Sequence, residues 1–270
     1  MTGRLRKFLL WVLAVVVTLA AAVYQRMTGP TYPVRGAVDI EGTVVPFRLI
    51  RSAENVKDCE IAVKTTDSAV TGYIEYMRFK TDDPWTRVDM ARTGEKLAAF
   101  LPKQPLAGKL VYRVVLAKNG RETTLTGDRL IIIRFKGVVP NVVQIPHILI
   151  MFLAMLFSTR AGLAALNRSD NSQNLVIWTC LLLFVGGFIL GPLMQYYGFG
   201  KFWTGIPFGL DLTDNKTLIA MIAWIAALVA GRKGKNARGW VLAAAVILLL
   251  VYSIPHSLLG SELDYSKLPK

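Results

Sequence analysis

The chain has two histidines, and both stand in the same tripeptide, Ile145-Pro146-His147 and Ile254-Pro255-His256. Imidazole is the commonest metal ligand and the side chain whose charge changes nearest neutral pH. Carboxylates occur nearby in sequence. The stretch PFGLDLTDNK puts Asp211, Asp214, Asn215 and Lys216 directly before an apolar run, and Glu262 and Asp264 follow His256. Two imidazoles with one or two carboxylates make a donor set for Zn, Fe, Mn or Cu, with a position left for water. The metal ligands expected on this reading are His147, His256, Asp211, Asp214 and Glu262, with Asn215, Lys216 and Asp264 as polar neighbours. A divalent metal held there could activate water for hydrolysis. Alternatively, the two imidazoles could be axial ligands of a haem between helices. A proton relay is the third option, but the opposite half of the apolar segments has no acid or histidine to continue it.

These residues could meet only if apolar helices carry them to one end. Of the 270 residues, 53% are hydrophobic, and the mean hydropathy is +0.42. That exceeds what a soluble domain carries and predicts membrane spans. A spanning helix needs about 20 mostly apolar residues. Five segments approach this: Phe8 to Tyr24, Val142 to Phe157, Leu175 to Met194, Leu218 to Ala230 and Trp240 to Leu259. The fourth is long enough only if Thr213 to Thr217 form its first turn.

Lys and Arg in the short loops set the orientation. Arg4, Arg6 and Lys7 precede the first segment, Arg160 and Arg168 separate the second from the third, and Arg232, Lys233, Lys235 and Arg238 separate the fourth from the fifth. All three clusters fall on one side if every segment spans; the other side has Lys201, Lys216, Lys267 and Lys270. The expected location is a bacterial inner (cytoplasmic) membrane, with the N-terminus cytoplasmic and the 25–141 segment and C-terminus periplasmic. A cleaved signal peptide is the alternative for the first segment, given its basic start and small residues Ala20 to Ala22. Its apolar run is longer than a signal core, which favours an uncleaved anchor. Part of the net charge of +14 belongs to these loops, and the 25–141 segment adds a modest excess that is spread rather than blocked; attraction to anionic lipid headgroups accounts for the loop clusters, and no nucleic-acid site is read from the charge.

Ordinary structural roles compete for the same polar residues. Thr213 or Asp214 fits the N-cap of the fourth helix, and acids in its first turn complement the helix dipole. Lys216 can extend its ammonium to the headgroups, and Pro146 suits a first helical turn. Tyr196, Tyr197, Phe202 and Trp203 resemble an interfacial aromatic belt. Gly186, Gly187 and Gly191 fit close helix packing. The Gly- and aromatic-rich loop Gln195 to Lys216 is expected to fold back on the bundle.

Between Val34 and Gly137 the pattern changes to a period of two. Thr71 to Phe79, Leu110 to Leu116, Leu130 to Phe135, Glu60 to Lys64 and Val45 to Ile50 read as strands. Lys118-Asn119-Gly120-Arg121 reads as a hairpin turn, because Asn and Gly tolerate positive φ. Some seven short strands in this length predict a sandwich of immunoglobulin or fibronectin type. The stretch AAFLPKQPLAGKLVYRVVL resembles the late hairpin of fibronectin-type modules, which implies a fold and no particular ligand. Cys59 and Cys180 fall in different regions, so no internal disulfide is expected.

The expected architecture is therefore an anchor over 1–26, an external β-sandwich over 27–140, a four-helix transmembrane bundle over 141–259 and a tail over 260–270. The functional expectation is a non-catalytic component of an envelope or membrane complex. Its β-domain would dock other envelope or membrane proteins, with membrane lipid as a further partner. The alternative is a periplasm-facing metal or haem site built on His147, His256 and nearby carboxylates, either a metal-dependent enzyme or an electron-transfer subunit.

Overall fold

The computed structural model describes residues 3–167, 172–232, 237–256, 260 and 262–267. The chain forms two compact units, Met1–Pro30 with Val139–Gly260, and Thr31–Val138 with Ser261–Lys270. The first is helical. It contains α1 (Gly3–Thr28), α2 (Asn141–Leu166), α3 (Gln173–Leu183), a π-helical segment (Phe184–Leu190), α4 (Gly191–Phe199), α5 (Leu212–Arg232) and α6 (Ala237–Ser253). Four of these helices, Gly3–Thr28, Asn141–Leu166, Gln173–Phe199 and Leu212–Arg232, are long and apolar enough to cross a membrane. At 17 residues, α6 is shorter. The last segment does not reach Leu259 as a helix, since the helix stops at Ser253. A residue before proline is disfavoured in the α region, so Pro255 sets the stop at Ile254. Leu259 itself, with Arg168, Lys233, Lys235 and Lys270, lies outside the described residues.

Helix α2 packs against α3 and α6, and α5 packs against α3 and α6, closing a ring. Helix α1 lies on α2 and α6. The core of the ring contains Met155, Leu183, Trp224 and Leu248, with small residues such as Ala154, Ala161, Ala220 and Ala244 at the crossings. Gly187 permits a close approach: a Cβ there would lie 2.6 Å from Thr217 Cγ2 on α5. At the other end of α2, Arg238 donates to the carbonyls of Ala165 and Leu166, which are among the last carbonyls of that helix and lack intrahelical donors.

The second unit is built of β-sheet. Its strands are β1 (Val34–Ile40), β2 (Thr43–Leu49), β3 (Ser52–Glu54), β4 (Cys59–Lys64), β5 (Thr71–Arg78), β6 (Thr86–Asp89), β7 (Ala91–Thr93), β8 (Lys96–Leu101), β9 (Lys109–Lys118), β10 (Arg121–Thr124) and β11 (Ile131–Lys136). One sheet has the order β3-β11-β9-β5-β6, with β10 also on β9; a second has the order β4-β8-β7; β1 and β2 form a hairpin. The alternation read from sequence holds. Leu110, Tyr112, Val114 and Leu116 of β9 enter the core beside Ile61, Val63, Leu97 and Leu101 of the second sheet. On β5, Ile74 faces the core while Glu75 pairs across the strands with Arg113 at 2.6 Å. Asn119 and Gly120 have φ of 50° and 82°, as a two-residue hairpin turn requires.

The fibronectin-like stretch is not a hairpin. Its two strands, β8 and β9, lie in different sheets, so Pro102 to Gly108 is a crossover between sheets. Two apolar strands with a polar link read alike in either arrangement, and only their pairing partners distinguish them.

Candidate functional site

The residues singled out from sequence separate into three settings. The first is a cavity of about 120 Å³ in the helical unit. His147 of α2, Lys216 of α5, His256 beyond α6 and Gln25 of α1 line its polar side. Pro146 is not in a first turn, as the sequence suggested. It sits inside α2, which begins at Asn141. His147 Nδ1 lies 3.0 Å from the carbonyl oxygen of Gly186. A carbonyl only accepts, so Nδ1 carries the proton and Nε2 of the neutral ring keeps its lone pair. Gly186 belongs to the π-helical segment, where a five-residue step also brings the Gly191 N–H to the same oxygen. The wide turn and the glycine make this carbonyl reachable: a Cβ on Gly186 would sit 2.6 Å from Met151 Sδ.

Lys216 does not extend outward. It is 4% exposed, and its Nζ donates to the Ile254 carbonyl at 2.7 Å. Like other carbonyls at a helix end, that oxygen lacks an intrahelical donor. Gln25 makes a parallel link from α1, its Nε2 donating to the Tyr252 carbonyl at 2.8 Å. Tyr252 in turn donates to the Met151 carbonyl on α2 at 2.7 Å. Sequence reasoning passed over Gln25 and Tyr252; Gln25 is the first amide after the apolar run of α1, the one signal that marked it.

The second setting is the 200–211 loop. Gly200, at φ 80°, ends α4. The N-cap of α5 is neither Thr213 nor Asp214. The helix starts at Leu212, and the Asp211 carboxylate accepts the Thr213 N–H at 2.8 Å while its carbonyl accepts the Asn215 N–H at 3.0 Å. That is N-cap geometry. One turn on, Asp214 faces the loop. Its carboxylate accepts the backbone N–H of Thr204 at 2.6 Å and of Gly205 at 3.0 Å. Asn215 Oδ1 accepts the next N–H, of Ile206, at 2.7 Å. Gly205 is required by this contact, since a Cβ would lie 2.6 Å from that of Asp214. Aromatic stacking completes the fold-back: Phe202 on Tyr196 at 4.3 Å and Trp203 on Phe188 at 5.6 Å.

Glu262 and Asp264 occupy the third setting, within the β unit. Glu262 pairs with Lys80 at 2.8 Å and Lys109 at 2.5 Å. Partial burial raises its carboxyl pKa, and the bonds from Lys109 and Lys80 outweigh that, leaving it below the ordinary glutamate value. Lys109 also moves below its ordinary value, burial exceeding the attraction of Glu262. Asp264 accepts from the Ser266 N–H and hydroxyl. Tyr265 is buried; its hydroxyl accepts the Lys109 N–H at 2.9 Å and lies 3.0 Å from Gln104 Oε1.

Five of the grouped polar residues, Asp211, Asp214, Asn215, Glu262 and Asp264, are thus engaged in caps, loop contacts and ion pairs. Among the described residues, no group of three or more His, Cys, Asp or Glu is placed to hold a metal ion. The cavity is also small for a macrocycle, because a void of roughly 150 Å³ accommodates a single benzene ring. The chain matches no family model, and no curated protein sequence matches it.

Proposed function

We propose that the protein is a five-span component of a bacterial cytoplasmic membrane that acts without catalysis in an envelope complex. Its N-terminus is cytoplasmic, and the β unit is an external immunoglobulin-like docking module. The observation that carries the non-catalytic reading is the commitment of the carboxylates: Asp211 caps, Asp214 holds a loop, and Glu262 pairs with two lysines. Among the described residues, no group of three His, Cys, Asp or Glu brings them to the histidines as metal donors.

Chain connectivity supports five spans. The β unit takes up both Thr31–Val138 and the tail, so the 139–260 segment leaves and rejoins the same unit. Between two points on one side of a membrane the crossings are even in number, and taking α6 as the fourth crossing of that segment meets this. Its 17 residues span about 26 Å at 1.5 Å per residue, near the lower limit for a crossing. The immunoglobulin-like reading rests on strand order. The parallel edge pairing of β3 on β11, with β4-β8-β7 as the facing sheet, suits a two-sheet sandwich with crossovers between sheets.

One observation favours a second reading. His147 donates Nδ1–H to a carbonyl, as metal-binding histidines commonly do, and His256 lines the same cavity. One experiment separates the two. Cross-linking from exposed Phe100 and Val44 in intact cells is expected to capture one envelope protein, with the same yield in a His147→Ala/His256→Ala variant. Stoichiometric metal in the purified wild type, lost in that variant, would replace the docking reading with the metal reading.

A further inference from the structure

We propose that the cavity between the helices binds the phosphate headgroup of a membrane lipid, with Lys216 as its cationic anchor. This goes beyond the docking role and does not depend on it. Lys216 is a buried charge with no carboxylate in direct contact. At 4% exposure its ammonium meets one neutral carbonyl, 2.7 Å away, and among the described residues no carboxylate lies within ion-pair distance. A charge buried without a counter-ion is costly, and an ionisable group among apolar helices commonly marks a ligand path. The Asp211 carboxylate, which caps α5, attracts the ammonium only from beyond ion-pair distance.

The same cavity wall discriminates between ligands. A divalent cation between His147 and His256 would meet the Lys216 ammonium, whereas an anion is attracted by it. His147 Nε2, bare in the neutral ring, accepts the O–H of a phosphomonoester, and Lys216 donates to its charged oxygens; bonds of this kind, with an ionised partner, are the strong ones. About 120 Å³ suits one headgroup and excludes an acyl chain. The chain has an exit. Ile148 and Phe152 line the cavity and are also exposed on the surface of α2, so an apolar tail can leave between the helices.

The test uses the full-length protein in neutral detergent, with native mass spectrometry and thermal unfolding as readouts. The probes are a short-chain phosphatidic acid, the matching phosphatidylcholine, inorganic phosphate and Zn²⁺. Phosphatidic acid is expected to give a one-to-one adduct and a raised Tm, and phosphatidylcholine neither. Lys216→Met should weaken the adduct about tenfold or more, while Lys201→Met, in the exposed loop, should not. Ala220→Leu keeps the lysine and fills the cavity wall; it should also abolish binding, and it serves if Lys216→Met does not fold. A shift of the same size with inorganic phosphate alone overturns the lipid source. Equal binding by the wild type and both cavity variants, or stabilisation by Zn²⁺ and not by phosphatidic acid, overturns the site.

Discussion

Asp211 and Asp214 stand three residues apart in one polar stretch, yet they do different work. Asp211 closes the open end of α5, and Asp214 anchors three residues of loop together with Asn215. Replacing an aspartate N-cap by alanine costs about 1 kcal/mol, so Asp211→Ala should lower stability by that amount with the loop intact. Asp214→Ala strips the acceptor from two backbone N–H groups, at roughly 1–3 kcal/mol for each one left buried and unpaired. Hydrogen exchange at the Thr204 and Gly205 amides checks this: they should lose protection in Asp214→Ala and keep it in Asp211→Ala. That acids gather before α5 is plain from the sequence. Which one caps is not, because a cap is defined by where the backbone turns helical, and Asp211 lies two residues before Thr213, the earlier of the two caps the polar pattern suggests.

At the level of elements, the π-helical segment is what turns a row of glycines into a site. It brings the Gly186 carbonyl to His147 and seats Gly187 against Thr217. Gly187→Ala is expected to destabilise the bundle by overpacking, typically about 1–3 kcal/mol. Thr217→Ser removes the opposing methyl and should restore much of the loss in the double variant, as read from unfolding in detergent. The glycines were legible as close-packing positions from composition alone. The extra residue in the turn was not, since Phe184–Leu190, FVGGFIL, has no polar residue to mark a face and so carries no readable period. In the β unit the strong alternation of β5, β9 and β11 was readable for the same reason that it folds: every second side chain meets one core. The β8–β9 crossover reads as a hairpin in the sequence because pairing partners are not local.

For the whole molecule, the tail decides most. Residues 262–267 add to the β unit through Glu262, Leu263 and Tyr265. The Glu262 carboxyl is held below its ordinary value, so its contribution is full above the unfolded glutamate pKa, about 4.3, and is lost as pH falls through the lower folded value. Proteolysis of the tail should accelerate on acidification below about pH 4.3, and Glu262→Gln should loosen the tail at neutral pH and flatten that dependence. The sidedness of the tail is testable separately. With Cys59 and Cys180 replaced, an impermeant maleimide should label Ser266→Cys and Glu60→Cys from the same side of the membrane and Gly3→Cys from the other. Labelling of Ser266→Cys from the Gly3 side would refute the five-span topology. The apolar helices, the β region between the first and second, and the polar residues worth questioning are legible in the sequence, because hydropathy and period are local properties of the chain. Tertiary structure decided that Lys216 turns inward, that Asp214 serves a loop and that Glu262 belongs to the β unit. Each of those depends on which distant carbonyl, amide or ammonium the fold brings within about 3 Å, and no local pattern encodes that.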